Sequence, residues 1–167
     1  MSVSEERLLL ILTLTLGVFM TVRRRAREIA LQVLYQLDIG QGDPQEVLGG
    51  YFENFRPSEK ARDFCRRLIE GVWQHRQAID RLIEENADNW TLKRMAVVDR
   101  NILRMAAYEL THCPDIPFKA TLNEAIELAK RFGNDDSGAF INGILDKVHS
   151  LSGPALPSSP PAAERKS

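Results

Sequence analysis

Cysteine is scarce in this chain of 167 residues. Cys65 and Cys113 lie far apart, and no CxxC motif occurs. His112 directly precedes Cys113, but two neighbouring ligands do not make a metal site. The sequence therefore predicts reduced, structural thiols and no bound metal, which is typical of a cytoplasmic protein.

Enzyme signatures are also missing from the sequence. It contains no P-loop, no GxSxG and no HExxH motif, and its three histidines form no recognised catalytic motif with a nucleophile. Glu124 and Glu127 are three residues apart in a helical pattern, where Lys130 is a natural neighbour for them. Because catalysis needs a constellation of groups and none is visible, we expect neither an enzyme nor a cofactor.

A strong net charge is absent as well. The formal charge is −1, so no global field would draw the chain onto nucleic acid. Any such binding must come from local patches, chiefly the arginines of residues 23–27. Hydrophobic residues make up 44% of the chain, enough for a core in one domain or two small subdomains.

The first charge-free run, residues 8–20, is too short for a comfortable membrane span. It resembles the apolar core of a signal peptide, but basic residues follow it and Glu5 and Glu6 precede it. We therefore predict that Met20 is the natural start and that residues 1–19 are a non-native or disordered extension. A signal or anchor segment is the alternative.

An arginine-led helix is predicted from about Arg24 to Ile39, before the breaker of residues 40–42. Its buried stripe consists of Ile29, Ala30, Val33, Leu34 and Leu37. Tyr35 falls on nearly the opposite side, on the stripe that carries Arg24. Arginines with an outward aromatic ring grip phosphates and stack bases. A solvated helix start with a half-buried tyrosine is the alternative.

The rest of the chain has helical period throughout. Asp43 and Pro44 open a short helix, and Ser58 caps a long helix to about residue 86 that Gly71 and the following HRQ could divide. Further helices are predicted before Pro114, over residues 118–132 and after residues 134–137. Phe140 lies a quarter-turn off the inner face of the last one, so core packing is its alternative role. The tail 151–167 is rich in Pro, Ser and Ala and is predicted to be disordered.

Three blocks of sequence carry a family resemblance. Residues 97–110, 116–133 and 137–148 closely resemble successive blocks of the transcription antitermination factor NusB family, and the arginine-led helix matches that family's N-terminal segment. The match covers roughly residues 22–149. It implies an all-α helical bundle of about six to seven helices in two packed three-helix subdomains, with residues 20–150 as the RNA-binding domain.

The resemblance also implies a function. The family binds the boxA element of leader RNA, most tightly with the small-subunit ribosomal protein NusE. That complex joins transcribing RNA polymerase during ribosomal RNA synthesis, so a cytoplasmic protein without a membrane segment is expected.

Individual residues match family positions. Those that the resemblance places at or near RNA are Arg23, Arg24, Arg25, Arg27, Tyr35, Asp136 and Phe140. Asp99 occupies an acidic position implicated in the NusE contact, where Glu is more familiar. Glu124 is expected to hold the packing between helices through buried hydrogen bonds.

Two other functions remain open. NusB-like domains also occur fused to RNA cytosine methyltransferases, where they help to hold ribosomal RNA. The second alternative is a helical module that binds an acidic protein through its arginines. Binding that depends on RNA sequence would separate the favoured interpretation from the second alternative.

Overall fold

A computed structural model describes the backbone of residues 3–40 and 42–152 and the side chains of residues 21–40 and 42–151. This part of the chain forms seven α-helices, one 3-10 turn and no strand, which confirms the predicted all-α fold. The helices are α1 (Val3–Ile39), α2 (Pro44–Phe55), α3 (Glu59–Gln74), α4 (Arg76–Glu85), α5 (Val97–His112), α6 (Phe118–Phe132) and α7 (Ser137–Ser152), with the 3-10 turn at Leu92–Arg94.

Helix α1 begins at Val3, well before the predicted start near Arg24. No proline and only Gly17 occur between residues 3 and 39, so nothing in the sequence ends the helix earlier. The side chains of residues 1–20 lie outside the described part, and the assignment of residues 1–19 to an extension stays a prediction. Residues 153–167 of the predicted disordered tail also lie outside it.

Local capping sets the boundaries of α2 and α3. The Asp43 carboxylate accepts hydrogen bonds from the backbone N–H groups of Gln45 and Glu46 at 2.9 and 3.2 Å, and Pro44 occupies the first helical position. Ser58 Oγ accepts from the Ala61 N–H at 3.3 Å. The predicted long helix is divided at His75, four residues after Gly71.

The helices pack as two groups around one continuous core. Helix α1 packs against α2 and α3, while α5, α6 and α7 pack together, as the prediction of two subdomains requires. Helix α5 joins the groups because it also contacts α1, α3 and α4. Among the described residues, no helix has both the length and the apolar content needed to cross a bilayer.

Helix α3 approaches α5 unusually closely at Gly71. A Cβ atom at this position would lie 2.0 Å from Tyr108 Cζ and 2.3 Å from Cε2. The Tyr108 ring is buried and stacks on His112 at 5.1 Å between centroids, with His75 at 6.2 Å. Only glycine fits this contact without displacing the ring.

Candidate nucleic-acid interface

The arginines of residues 23–27 point in different directions because consecutive helical residues are about 100° apart. Arg24 faces α6, where its Nε and Nη2 atoms donate to the two Glu124 oxygens at 3.1 and 2.8 Å. The Arg24 side chain is 50% exposed, whereas Glu124 is buried. This hydrogen-bonded pair raises the pKa of Arg24. It also confirms the predicted interhelix role of Glu124, which orients a guanidinium that solvent still reaches.

Arg23 faces α3 and the chain that follows α5. Its Nη2 atom is 3.5 Å from Asp115, and its guanidinium lies 5.1 Å from the centroid of the Phe64 ring. Arg67 binds the same carboxylate through two hydrogen bonds of 2.6 and 3.0 Å. The Arg67 hydrogen bonds lower the pKa of Asp115 to about 2. Two guanidinium groups therefore share the Asp115 carboxylate.

Arg25 faces α2. Its guanidinium is 3.3 Å from Glu28 and stacks over the Phe55 ring at 4.8 Å. Glu28 also accepts a short hydrogen bond from Arg131 of α6. Because Glu28 is shared between two arginines, it neutralises Arg25 only in part.

Arg27 differs from its three neighbours. Its side chain is only 4% exposed, and its Nε and Nη2 atoms donate to Glu109 at 2.5 to 3.2 Å. Burial raises the pKa of Glu109, and the ion pair with Arg27 opposes that shift. The predicted RNA contact of Arg27 does not fit this placement, because a buried guanidinium bound to a carboxylate cannot reach a phosphate.

Tyr35 lies about 16 Å from Arg24 along α1 at 1.5 Å rise per residue, and the residues between them on the same stripe, Glu28 and Leu31, are buried. Its side chain is 38% exposed, so the ring points outward as predicted. Asp38, one turn further on, accepts hydrogen bonds from Arg100 at 2.6 Å and Arg104 at 3.1 Å. These bonds fix this end of α1, and with it Tyr35, against α5.

Of the two predicted residues near α7, Asp136 directly precedes the helix and Phe140 lies in its first turn. Asp136 is exposed, and its backbone N–H donates to Asn134 Oδ1 at 2.9 Å. Phe140 is half-buried against the core, and its ring also meets Trp90 edge-to-face at 6.0 Å between centroids. Phe140 therefore combines the packing role with a partly accessible ring.

Asp99 lies in the first turn of α5. It is only 6% exposed, and its Oδ1 atom has no hydrogen-bond partner in the described part of the chain. A buried carboxylate oxygen without a donor is uncommon, although the helix N-terminus stabilises its charge.

Trp90 and Arg94 were missed at the sequence level. Trp90 is 46% exposed, and the Arg94 guanidinium lies 5.2 Å from its ring centroid. Positive φ angles at Asp88 and Asn89 shape the loop that carries the ring. A tryptophan among polar loop residues, shortly before Lys93 and Arg94, was the available signal. The rings of Trp90 and Phe140 and the Arg94 guanidinium therefore form a partly exposed cluster.

Comparisons with known proteins identify the family to which the sequence is similar. The model of the NusB family matches residues 24–150. The transcription antitermination protein NusB of Desulfatibacillum aliphaticivorans is 50% identical over 127 residues, which cover 76% of this chain and 89% of that protein.

Solved structures give the same result. NusB from T. maritima is 40% identical with a TM-score of 0.73, covering 77% of this chain and 90% of that one. A structure of the antitermination factors NusB and NusE in complex with dsRNA matches at 25% identity and a TM-score of 0.73, covering 78% of this chain and 98% of that one.

Proposed function

Because this chain belongs to the NusB family, we propose that it binds boxA leader RNA together with NusE and supports processive transcription of ribosomal RNA operons. In this proposal the protein acts in the cytoplasm, is linked to RNA polymerase through that complex and has no catalytic role. Support comes from relatives named as antitermination proteins and from the related complex with NusE and RNA.

The observation that carries the proposal is the set of guanidinium groups of Arg23, Arg24 and Arg25, which lie in the second half of α1. Arg24 is held by buried Glu124 yet half-exposed, and Arg23 and Arg25 share their carboxylates with other arginines. Such oriented guanidinium groups suit RNA phosphates. Tyr35, Asp136 and Phe140 complete the proposed RNA surface. Arg27 contributes to this surface only indirectly, through its buried ion pair with Glu109.

We assign Asp99 to the NusE contact. Its unpartnered oxygen is an acceptor that a donor on a second protein would satisfy. Because the carboxylate is buried, binding would require a small local rearrangement of the first turn of α5.

The proposal is tested by titrating boxA RNA with and without saturating NusE at fixed salt. A footprint of three arginines and two rings gives modest affinity by itself. A second protein bound alongside adds linked contacts, so we expect boxA affinity to rise at least about tenfold, or 1.4 kcal/mol. By reciprocity, boxA should tighten the binding of NusE by the same factor, which calorimetry measures.

Scrambled RNA of the same length is the control for sequence dependence. Equal affinity for boxA and scrambled RNA, with NusE present, would argue for a general RNA-holding domain. If the protein bound no RNA at all, a protein-interaction module would be the remaining function.

We also propose that Trp90 and Arg94 extend the RNA surface beside Phe140. Trp90→Ala should weaken boxA binding by roughly 1–3 kcal/mol, because an exposed ring offers a stacking platform for a base. The dependence of affinity on salt should stay unchanged, since no charge is removed. Fluorescence anisotropy over a range of salt concentrations measures both quantities.

Trp73→Ala is the matched control for this substitution. Trp73 is 41% exposed, and the Arg76 guanidinium lies 5.6 Å from its ring centroid. Trp73 therefore offers the same combination of an exposed ring and a cation on another face. Its loss should leave boxA affinity unchanged. If both variants melt normally and both bind as the wild type does, Trp90 has no part in RNA binding.

A further inference from the structure

We infer that a second RNA-contacting surface lies at the C-terminal end of α2 and takes single-stranded RNA flanking the segment bound at α1. We call it the α2 patch. Its residues are Tyr51, Phe52, Phe55, Arg56, Arg62 and Arg66. The inference rests on the proposed function, because Arg25 of the proposed RNA surface contacts this patch directly.

One part of the patch is a stack of a cation and two rings. The Phe55 ring is 39% exposed and lies parallel to the Tyr51 ring at 5.9 Å between centroids. The Arg25 guanidinium lies over the same Phe55 ring at 4.8 Å. A phosphate chain that contacts Arg25 therefore reaches an exposed aromatic ring within one nucleotide step.

The second part is a pair of arginines on one ring. The guanidinium groups of Arg62 and Arg66 lie 5.6 and 5.3 Å from the centroid of Phe52. Arg62 forms no ion pair with any described residue, and its buried Nε atom has no hydrogen-bond partner. Arg66 lies 3.7 Å from Asp63, a contact between two exposed side chains that contributes little.

An open groove of about 490 Å³ lies beside the Phe52 ring and is lined by Phe52, Glu53, Arg56 and Arg62. Two arginines, Arg56 and Arg62, line this groove together with the single carboxylate of Glu53. Guanidinium groups near aromatic rings can still donate hydrogen bonds to phosphate oxygens, and the exposed ring of Phe55 can stack a base. Positive charge with exposed aromatic rings favours single-stranded RNA over an acidic protein segment.

The test compares a short single-stranded boxA RNA with RNAs extended at the 5′ or 3′ end by about eight nucleotides, within the site size of a small single-strand module. One extension should tighten binding to the wild type by about tenfold through linked contacts. Arg62→Gln with Arg66→Gln should abolish this gain and leave affinity for the short RNA unchanged. The salt slope for the extended RNA should fall by about 1.4, or 0.7 per lost phosphate contact.

Arg81→Gln with Lys119→Gln is the control, because it removes two exposed basic residues from α4 and α6. It should keep the gain from extension. Phe55→Leu should reduce the gain with no change in the salt slope.

Binding of the short RNA distinguishes failure of the proposed function from failure of the α2 patch. If the wild type fails to bind even the short RNA, the proposed function is wrong. If the short RNA binds but neither extension adds affinity, or the gain survives in the double variant, the α2 patch does not bind RNA. Poly-glutamate binding that depends on Arg62 and Arg66, without any gain from extension, would identify a protein-docking surface and overturn the inference.

Discussion

Replacing Arg27 with methionine is expected to lower the free energy of unfolding by about 3–5 kcal/mol. The substitution leaves the Glu109 carboxylate, which is 2% exposed, without its cation in the core. Unfolding by urea, followed by circular dichroism, measures the loss. The unpaired carboxyl group would have a raised pKa in the folded state, so the deficit should shrink as pH falls through that pKa and grow as pH rises.

The double variant Arg27→Met with Glu109→Leu is the control. Apolar side chains of similar volume often replace a buried ion pair without loss, so most of the stability should return. The same protein tests whether Arg27 has any direct role in binding. A stable double variant that binds boxA as tightly as the wild type does would show that Arg27 acts only from the core. Weaker binding by this variant would restore Arg27 to the RNA contacts.

Gly71→Ala is expected to destabilise the fold by about 1–3 kcal/mol, because the added methyl group overlaps the buried Tyr108 ring. The ring cannot easily yield, since His112 stacks on one of its faces. Thermal unfolding at fixed protein concentration should show a melting temperature several degrees lower, at about 2–4 °C per kcal/mol.

Gly50→Ala makes the same chemical change where nothing lies within 4 Å of the new Cβ. Gly50 is exposed inside α2, so the variant should gain up to about 1 kcal/mol from helix propensity. Opposite signs for the two variants would identify the contact with Tyr108 as the cause. A neutral Gly71→Ala variant would mean that the ring shifts freely and that the close approach is not a constraint.

The helices could be predicted because their signals are local. The apolar period of α1, the cap at Asp43 and the break near His75 each involve residues within a few positions of one another. The start of α1 was predicted too late because the charge-free run before Arg24 was interpreted by composition, although it contains no stop signal. The outward direction of Tyr35 followed from helical period alone.

The candidate site could be predicted only in part, because its electrostatics depend on distant partners. Four arginines within five residues look equivalent in the sequence, yet Arg27 is buried and Arg24 is half-exposed. The difference arises from Glu109 and Glu124, which lie 82 and 100 residues further along the chain. The contact between the Trp90 and Phe140 rings could not be predicted for the same reason, because these two residues are also far apart in the sequence. Spacing along one helix carries no information about such contacts.

These long sequence separations have a consequence for the nascent chain. Helix α1 leaves the ribosome first, but the carboxylates that hold Arg24 and Arg27 are in α5 and α6, which follow much later. Synthesis at about 5–20 residues per second leaves several seconds before these ion pairs can form. During that interval the arginine segment is a free polycation, able to engage any RNA nearby. Once α5 and α6 have formed, the segment becomes a set of oriented guanidinium groups of limited charge, so under the proposed function its selectivity for RNA is acquired only after α6 has been synthesised.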